Sequence, residues 1–238
     1  MYKESFLMAW ASLIANKLRS LLTMLGIIIG VAAVIALVSI GNGVKQDIEN
    51  SISSLGSNLL VVLPGAPRTP GARSSQGSMK SLKISDYEAI AKLEGVKAAS
   101  PMTNGSYVVI YQNKNWTTSV AGVNSNFQDV NNWTMTSGRF FSDKNVQNRE
   151  RVAVVGQTVV KNLFADEDPV GKEIRVKNIP FRVIGVLKSK GNGTMGNDQD
   201  DTVLIPYTTS MERVEGIDYL RRVYVVAKDD GGIDRLQA

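Results

Sequence analysis

Neither cysteine nor histidine occurs anywhere in the 238 residues. Without cysteine there is no disulfide framework, no thiolate metal ligand and no cysteine nucleophile. Without histidine the usual general base near neutral pH is gone, and with it the commonest zinc ligand. A hydrolase would be left with a Ser-Lys or carboxylate centre, and no nucleophile–base pair can be assembled from the motifs present. Catalytic, metal-binding and cofactor-binding residues are therefore all expected to be missing from this chain.

Other signals are missing too. The formal net charge is only +5 and is spread along the chain, without the dense basic stripe of a nucleic-acid binder. No Gly-x-x-x-x-Gly-Lys-Ser/Thr phosphate loop exists. Gly171-Lys172 is followed by Glu173, and Asp166 stands where the first glycine belongs. Asp198, Asp200 and Asp201 lack the spacing and closing Glu of an EF-hand, so they read as a solvated loop. Gly191-Asn-Gly193 reads as a flexible surface loop, and Asp166 to Asp168 as a turn before Pro169.

What is present begins with an apolar run. Leu21 to Gly41 reads LLTMLGIIIGVAAVIALVSIG, with no charge between Arg19 and Lys45. At about 1.5 Å rise per residue it can cross a hydrocarbon layer of roughly 30 Å. Its Leu, Ile and Val residues each favour mid-membrane insertion by about 0.3–0.6 kcal/mol. A buried core helix would show a polar face over such a length. A cleaved leader would be shorter and would be followed by an Ala-x-Ala-like site, whereas Ser39-Ile40-Gly41-Asn42-Gly43 follows here. Residues 21–41 therefore read as a transmembrane helix.

The flanks orient it. Lys3, Lys17 and Arg19 precede the span with only Glu4 opposing, and Lys45, Asp47 and Glu49 follow it without basic excess. The positive-inside rule puts the N-terminus in the cytoplasm and residues from about Val44 onward outside. Within residues 1–20, Phe6, Trp10, Leu13, Ile14, Lys17 and Leu18 recur at helical spacing. They predict an amphipathic elbow helix in the headgroup layer, with Phe6, Trp10, Lys17 and Arg19 as interfacial anchors. After the span, Val44, Ile48, Ile52 and Leu55 keep the helical period and predict a stalk over residues 42–57, with Gly56 as its stop.

The remaining residues, 58–238, predict an α+β external domain. Asn58–Leu63 reads as a short buried strand, and Pro64–Ser81 as a loop rich in Pro, Gly and Ser. Ser85-Asp-Tyr-Glu88 has the form of a capping box opening a helix that Gly95 ends, and Val96–Met102 returns as a strand. Two hairpins are expected, around Asn113-Lys114-Asn115 and around Lys177-Asn178-Ile179-Pro180. Between them lie a strand at Arg151–Val155 and a helix at Gln157–Phe164. Thr202–Pro206 and Arg222–Ala227 read as strands, and Gly231–Ala238 starts a helix. Residues 58–103 and about 200–238 form an α/β part in this reading, with a β-rich part over about 104–199 inserted between them.

Several stretches resemble a known family. Asn16-Lys-Leu-Arg-Ser-Leu-Leu-Thr-Met-Leu-Gly-Ile-Ile-Ile-Gly-Val31 is similar to the opening of MacB-type ABC transporter permeases of the MacB/FtsX class. Gly138-Arg-Phe-Phe-Ser142, Arg151-Val-Ala-Val-Val-Gly156, Asn162-Leu-Phe164, Asp168-Pro-Val-Gly171 and Phe181-Arg-Val-Ile-Gly-Val-Leu187 resemble its periplasmic core domain, in the family's order. The resemblance implies a porter-like α/β subdomain beside the β-rich one, between the first and second of four membrane helices. It implies a homodimer in a bacterial inner membrane, exporting macrolides, peptides or lipoproteins, often with a membrane-fusion adaptor protein. ATP hydrolysis below the membrane would move stalks and external domains above it, by mechanotransmission. These 238 residues carry no nucleotide-binding domain and only the first membrane helix. ATP and Mg are thus expected on a separate cytoplasmic ATPase chain, and the sequence is expected to be a piece of a longer permease. The alternative is a single-span binding or regulatory module of FtsX-like type that controls cell-wall hydrolases.

Overall fold

The computed structural model describes residues 3–5, 8, 17–55, 58–65, 80–165, 167–193 and 197–228, the side chains at 44 and 46–55 excepted. The chain divides into two compact units, Met1–Asn50 and Ser51–Ala238.

Most of the first unit is residues 17–50 of one long helix, α1 (Lys17–Leu55, 39 residues). Its apolar run satisfies every interior backbone group within the helix, which a hydrocarbon environment demands. Thr23 lies inside the run, and its hydroxyl donates back to the carbonyls of Arg19 and Ser20, both at 3.0 Å. That bond hides a polar group in the helix's own backbone. Gly26, Gly30, Gly41 and Gly43 do not interrupt the helix. Of the elbow, residues 3–5 and 8 are helical, and most of the segment lies outside the described residues.

The second unit is built on one strand that does two jobs. β1 (Leu59–Val62), β9 (Arg222–Ala227) and the first half of β2 (Val96–Tyr111) form an antiparallel sheet. The second half of β2 leaves that sheet and pairs with β3 (Lys114–Val123). From there the ladder runs to β8 (Thr202–Pro206), β5 (Val152–Val155), β7 (Ile179–Leu187) and β6 (Glu173–Val176). β6 pairs again with β2 at Val109 and Ile110, so six strands close into a barrel. Closure leaves none of these six as a free edge over its paired length. β4 (Met135–Gly138) adds to β7 outside the ring.

Alternation explains the barrel core. On β7, Phe181 and Val183 are fully buried while Arg182 between them is exposed, as the two-residue period of a strand requires. They join Val109, Val155, Ile174 and Ile205, with Val159 and Leu163 supplied by the helix α3 (Gln157–Leu163). A separate cluster sits on the three-stranded sheet. There Val96, Val223 and Val225 pack with Met211 and Leu220, and with Tyr87 and Ile90 of the helix α2 (Ile84–Ala91).

Several sequence expectations shift. The strand expected at 96–102 runs on into the first hairpin as one 16-residue strand, because Thr103 to Gly105 stay extended and paired with β3. Thr202–Pro206, grouped by sequence with the α/β part, lies between β3 and β5 in the barrel, because both its edges find barrel partners. β1 is half-buried rather than buried, since it pairs only β9 and Val61 is 40% exposed. The helix opens at Lys83 rather than Ser85, and the Lys83 N–H donates to Asp86 Oδ2 at 2.7 Å. Asp86 thereby takes the role expected of Glu88. Both hairpins form on two-residue turns, Gln112-Asn113 and Lys177-Asn178. Lys177 and Asn178 both have positive φ, 51° and 66°, the pattern of a type I′ turn. The segments 66–79 and 229–238, with the expected terminal helix, lie outside the described residues.

Candidate functional site

The apolar helix comes first. Lys17–Gly43, 27 residues, is long and apolar enough to cross a membrane, and none of its most apolar stretch is buried by the rest of the chain. Leu21, Ile29, Val34 and Leu37 are all exposed. In water that surface would be costly at about 25 cal/mol per Å², whereas lipid tails match it. Lys17 and Arg19, two of the four expected anchors, are exposed on the first turn of α1. Phe6 and Trp10 lie outside the described residues. The helix backbone runs unbroken through Val44, Ile48, Ile52 and Leu55, whose side chains are not among those described.

In the external unit, polar groups are used to lock loops onto the barrel. Asp200, expected in a solvated loop, is 5% exposed. Its carboxylate accepts the N–H groups of Lys190 at 2.8 Å and Gly191 at 3.1 Å, and the Ser189 hydroxyl. Asp198 accepts the Thr158 hydroxyl at 2.6 Å, and Asp201 accepts the Trp116 indole N–H at 2.8 Å. These carboxylates are spent on hydrogen bonds that tie residues 189–191 and 198–201 to one another, to α3 and to β3. Gly156 explains why the segment can lie so close, because a Cβ there would meet the Asp200 carbonyl oxygen at 2.2 Å. Among the described residues no group of three or more acidic side chains is placed to hold a metal ion.

Lys190 belongs to the same lock. Its ammonium donates to the Asn131 carbonyl and stands 4.5 Å from the Trp133 ring centroid. Burial pushes it below the usual lysine range, with Asp200 opposing the shift. At the place where β2 passes from sheet to barrel, a second polar cluster sits in the interior. Thr103 and Ser210 share a hydroxyl–hydroxyl bond of 2.8 Å, and Ser210 donates to Glu215 Oε1 at 3.1 Å. The other Glu215 oxygen faces Arg221 Nη2 at 3.6 Å. Gly122 admits this cluster, since a Cβ there would lie 2.4 Å from the Ser210 Cβ. Ser210–Glu215 is a π-helical turn, which this insertion of buried polar groups accompanies.

Sequence reasoning marked the apolar helix and missed both clusters. The only cue was Gly122 and Gly156, each within an otherwise strand-like or strand-ending stretch.

Comparison with known proteins follows this architecture. The chain matches the MacB-like periplasmic core domain family over residues 20–238. It is 40% identical over 227 residues to the macrolide export ATP-binding/permease protein MacB of Chlorobium luteolum, covering 95% of this chain and 34% of that one. It is 44% identical over 239 residues to the protein of the same name from Rhodospirillum rubrum, covering 100% of this chain and 36% of the relative. The chain thus spans about a third of the length of the curated relatives it matches. Among solved structures it is similar to the periplasmic region of MacB from Actinobacillus actinomycetemcomitans. The TM-score is 0.64 at 28% identity, over 75% of this chain and 78% of that one. The extracellular domain of the noncanonic ABC-type transporter YknZ from Gram-positive bacteria shares the fold, with a TM-score of 0.61 at 20% identity, over 75% of this chain and 87% of that one.

Proposed function

Because the chain belongs to the MacB-like periplasmic core domain family, we propose that it acts as a permease subunit of an ABC-type export system. Its external domain is the moving part rather than an enzyme. In this proposal ATP and Mg²⁺ are bound by a cytoplasmic ATPase on a separate chain. The main domain lies on the periplasmic or extracellular face of the bacterial cell membrane, and the N-terminus lies in the cytoplasm.

The observation that carries this reading is the continuity of α1. A helix of 39 residues rises about 58 Å, roughly twice the hydrocarbon thickness. A rod of that length, unbroken from the span to Leu55, can pass a displacement from one side of the membrane to the other. Val44, Ile48, Ile52 and Leu55 form its coupling face in this proposal. Two copies work together. Gly26 and Gly30 support that pairing, for they stand four residues apart on α1, and small residues at that spacing let two helix backbones approach closely. A membrane-fusion adaptor receives what the external domains expel. The substrate named for the relatives, macrolide, is the first class to assay.

The test is Ile48→Asp in vesicles holding the subunit with its ATPase. Export should be lost while ATP hydrolysis remains measurable. Unchanged export would remove the stalk from the mechanism. Recovery of a cell-wall hydrolase on detergent purification, with no ATPase, would instead favour the FtsX-like regulatory reading.

A further inference from the structure

A cleft of about 540 Å³ opens on the outside of the barrel, and three arginines line it: Arg139, Arg151 and Arg182. Each is brought there by backbone geometry. Arg182 is the outward residue between buried Phe181 and Val183 on β7. Its N–H donates to the Arg151 carbonyl at 2.9 Å, which sets Arg151, the residue before β5, beside it. Arg139 follows β4, and its N–H donates to the Ile184 carbonyl at 3.0 Å. That approach requires two glycines. Gly138 has φ +70°, and a Cβ on it would meet the Ile184 oxygen at 2.3 Å. A Cβ on Gly185 would meet the Arg139 carbonyl oxygen at 2.5 Å.

The charge in the cleft is not balanced from within. Glu150 is the one acidic residue in its lining, and its carboxylate is engaged by the Asn145 amide at 2.6 Å and the Asn148 amide at 3.4 Å. Glu173 lies opposite Arg182 in the β6–β7 ladder but outside the lining. Four other cations of this unit have carboxylate partners, Lys83 with Asp218, Arg149 with Glu212, Lys172 with Glu167 and Arg221 with Glu215, whereas Arg175, Arg213 and Arg222 have no ion pair among the described residues. Among the described residues no ion pair holds Arg139, Arg151 or Arg182. Within the lining three arginines stand against one carboxylate, an excess of two positive charges, and Glu173 opposite Arg182 lowers the local excess to one beside a cleft of ligand size. Val152 and Ile184 give part of the same lining an apolar character.

We propose that this cleft binds a phosphomonoester dianion whose organic part lies against Val152 and Ile184. A phosphoryl group carries close to two negative charges at neutral pH and three terminal oxygens, one for each arginine fork. A carboxylate offers two oxygens and one charge, which leaves one fork unmatched. The phosphoryl group can come from a soluble phosphate ester or from a lipid headgroup, and the chemistry is shared.

The test uses the full chain in nanodiscs of neutral phosphatidylcholine, titrated calorimetrically with phenyl phosphate at low salt. Saturable binding is expected, weakened about tenfold or more by Arg139→Gln and by Arg182→Gln. Arg139→Lys should fall between, because it keeps the charge and loses the fork. Arg149→Gln, an arginine outside the lining, should leave binding unchanged. The substituted side chains are exposed, and unchanged thermal midpoints would show that the fold is intact. Inhibition of binding by phosphatidic acid placed in the nanodisc assigns a lipid source, and its failure to inhibit assigns a soluble one. Binding that does not saturate, or that survives in the Arg139→Gln/Arg182→Gln double variant, would overturn the proposal. So would succinate binding more tightly than phenyl phosphate.

Discussion

The same residue types are used in opposite ways in the two units of this chain. Ile29, Val31 and Leu37 on α1 are 59%, 54% and 72% exposed, whereas Val155, Ile174 and Phe181 in the barrel are 0% exposed. What separates them is arrangement. In α1 apolar residues follow one another on every side of the helix, so no face is left for water. In the barrel strands they alternate with polar residues, so one face is closed and the other wetted. The lesson is that one chain carries two solvents' worth of instruction, and each segment names its solvent by the period of its apolar residues.

Substitutions can break that comparison at either end. The largest effect is expected in the barrel. Phe181→Ala should destabilise the external unit by about 3–5 kcal/mol, read from urea unfolding of the purified protein. A loss below about 1 kcal/mol would mean the barrel interior is loosely filled. Next comes the span, where Ile29→Lys should make insertion less favourable by about 2.5–3.5 kcal/mol or slightly more in a translocon assay. The external unit should keep its unfolding midpoint in that variant, and a joint loss would contradict the separation of the two solvents.

Smaller effects sharpen the polar side of the comparison. Asp200→Asn leaves the shape but replaces an oxygen acceptor with a donor against donors, and it removes the charge that strengthens three bonds. A loss of about 1.5–3 kcal/mol in the external unit is expected. The smallest change is at the surface. The Tyr111 hydroxyl donates to Glu167 at 2.8 Å and holds that carboxyl below its usual range, with Lys172 adding to the effect. A lowered carboxyl stabilises the fold above its unfolded value, and the contribution is lost as pH falls through its folded value. Tyr111→Phe should therefore move the Glu167 titration upward in an NMR experiment. An unmoved titration would remove the hydrogen bond as the cause.

Legibility followed the range of each interaction. The span, both hairpins and the strand–helix pair from Val152 to Leu163 could be read locally, because their period and turn residues lie within a dozen positions. The continuity of β2 could not be read, since Thr103 to Gly105 look like a break and are held extended by partners at Val120 to Gly122. The closure of the barrel through Val109 and Val176 depends on residues 67 positions apart, beyond any local pattern. Asp200 looked like a loop acid because its donors are mostly backbone N–H groups, which carry no sequence signature. The three arginines of the cleft sit in three separate stretches, and only the β5–β7 pairing and the Arg139–Ile184 bond bring them together.

The central claim is that α1 crosses the bilayer and leaves the barrel outside. The absence of cysteine makes a direct test possible, because any thiol introduced is the only one. Lys3→Cys and Lys161→Cys, both at exposed positions, can be treated in spheroplasts with a membrane-impermeant maleimide. The account predicts that Lys161→Cys is modified at once and Lys3→Cys only after permeabilisation. Labelling of Lys3→Cys in intact spheroplasts, with Lys161→Cys protected, would contradict it.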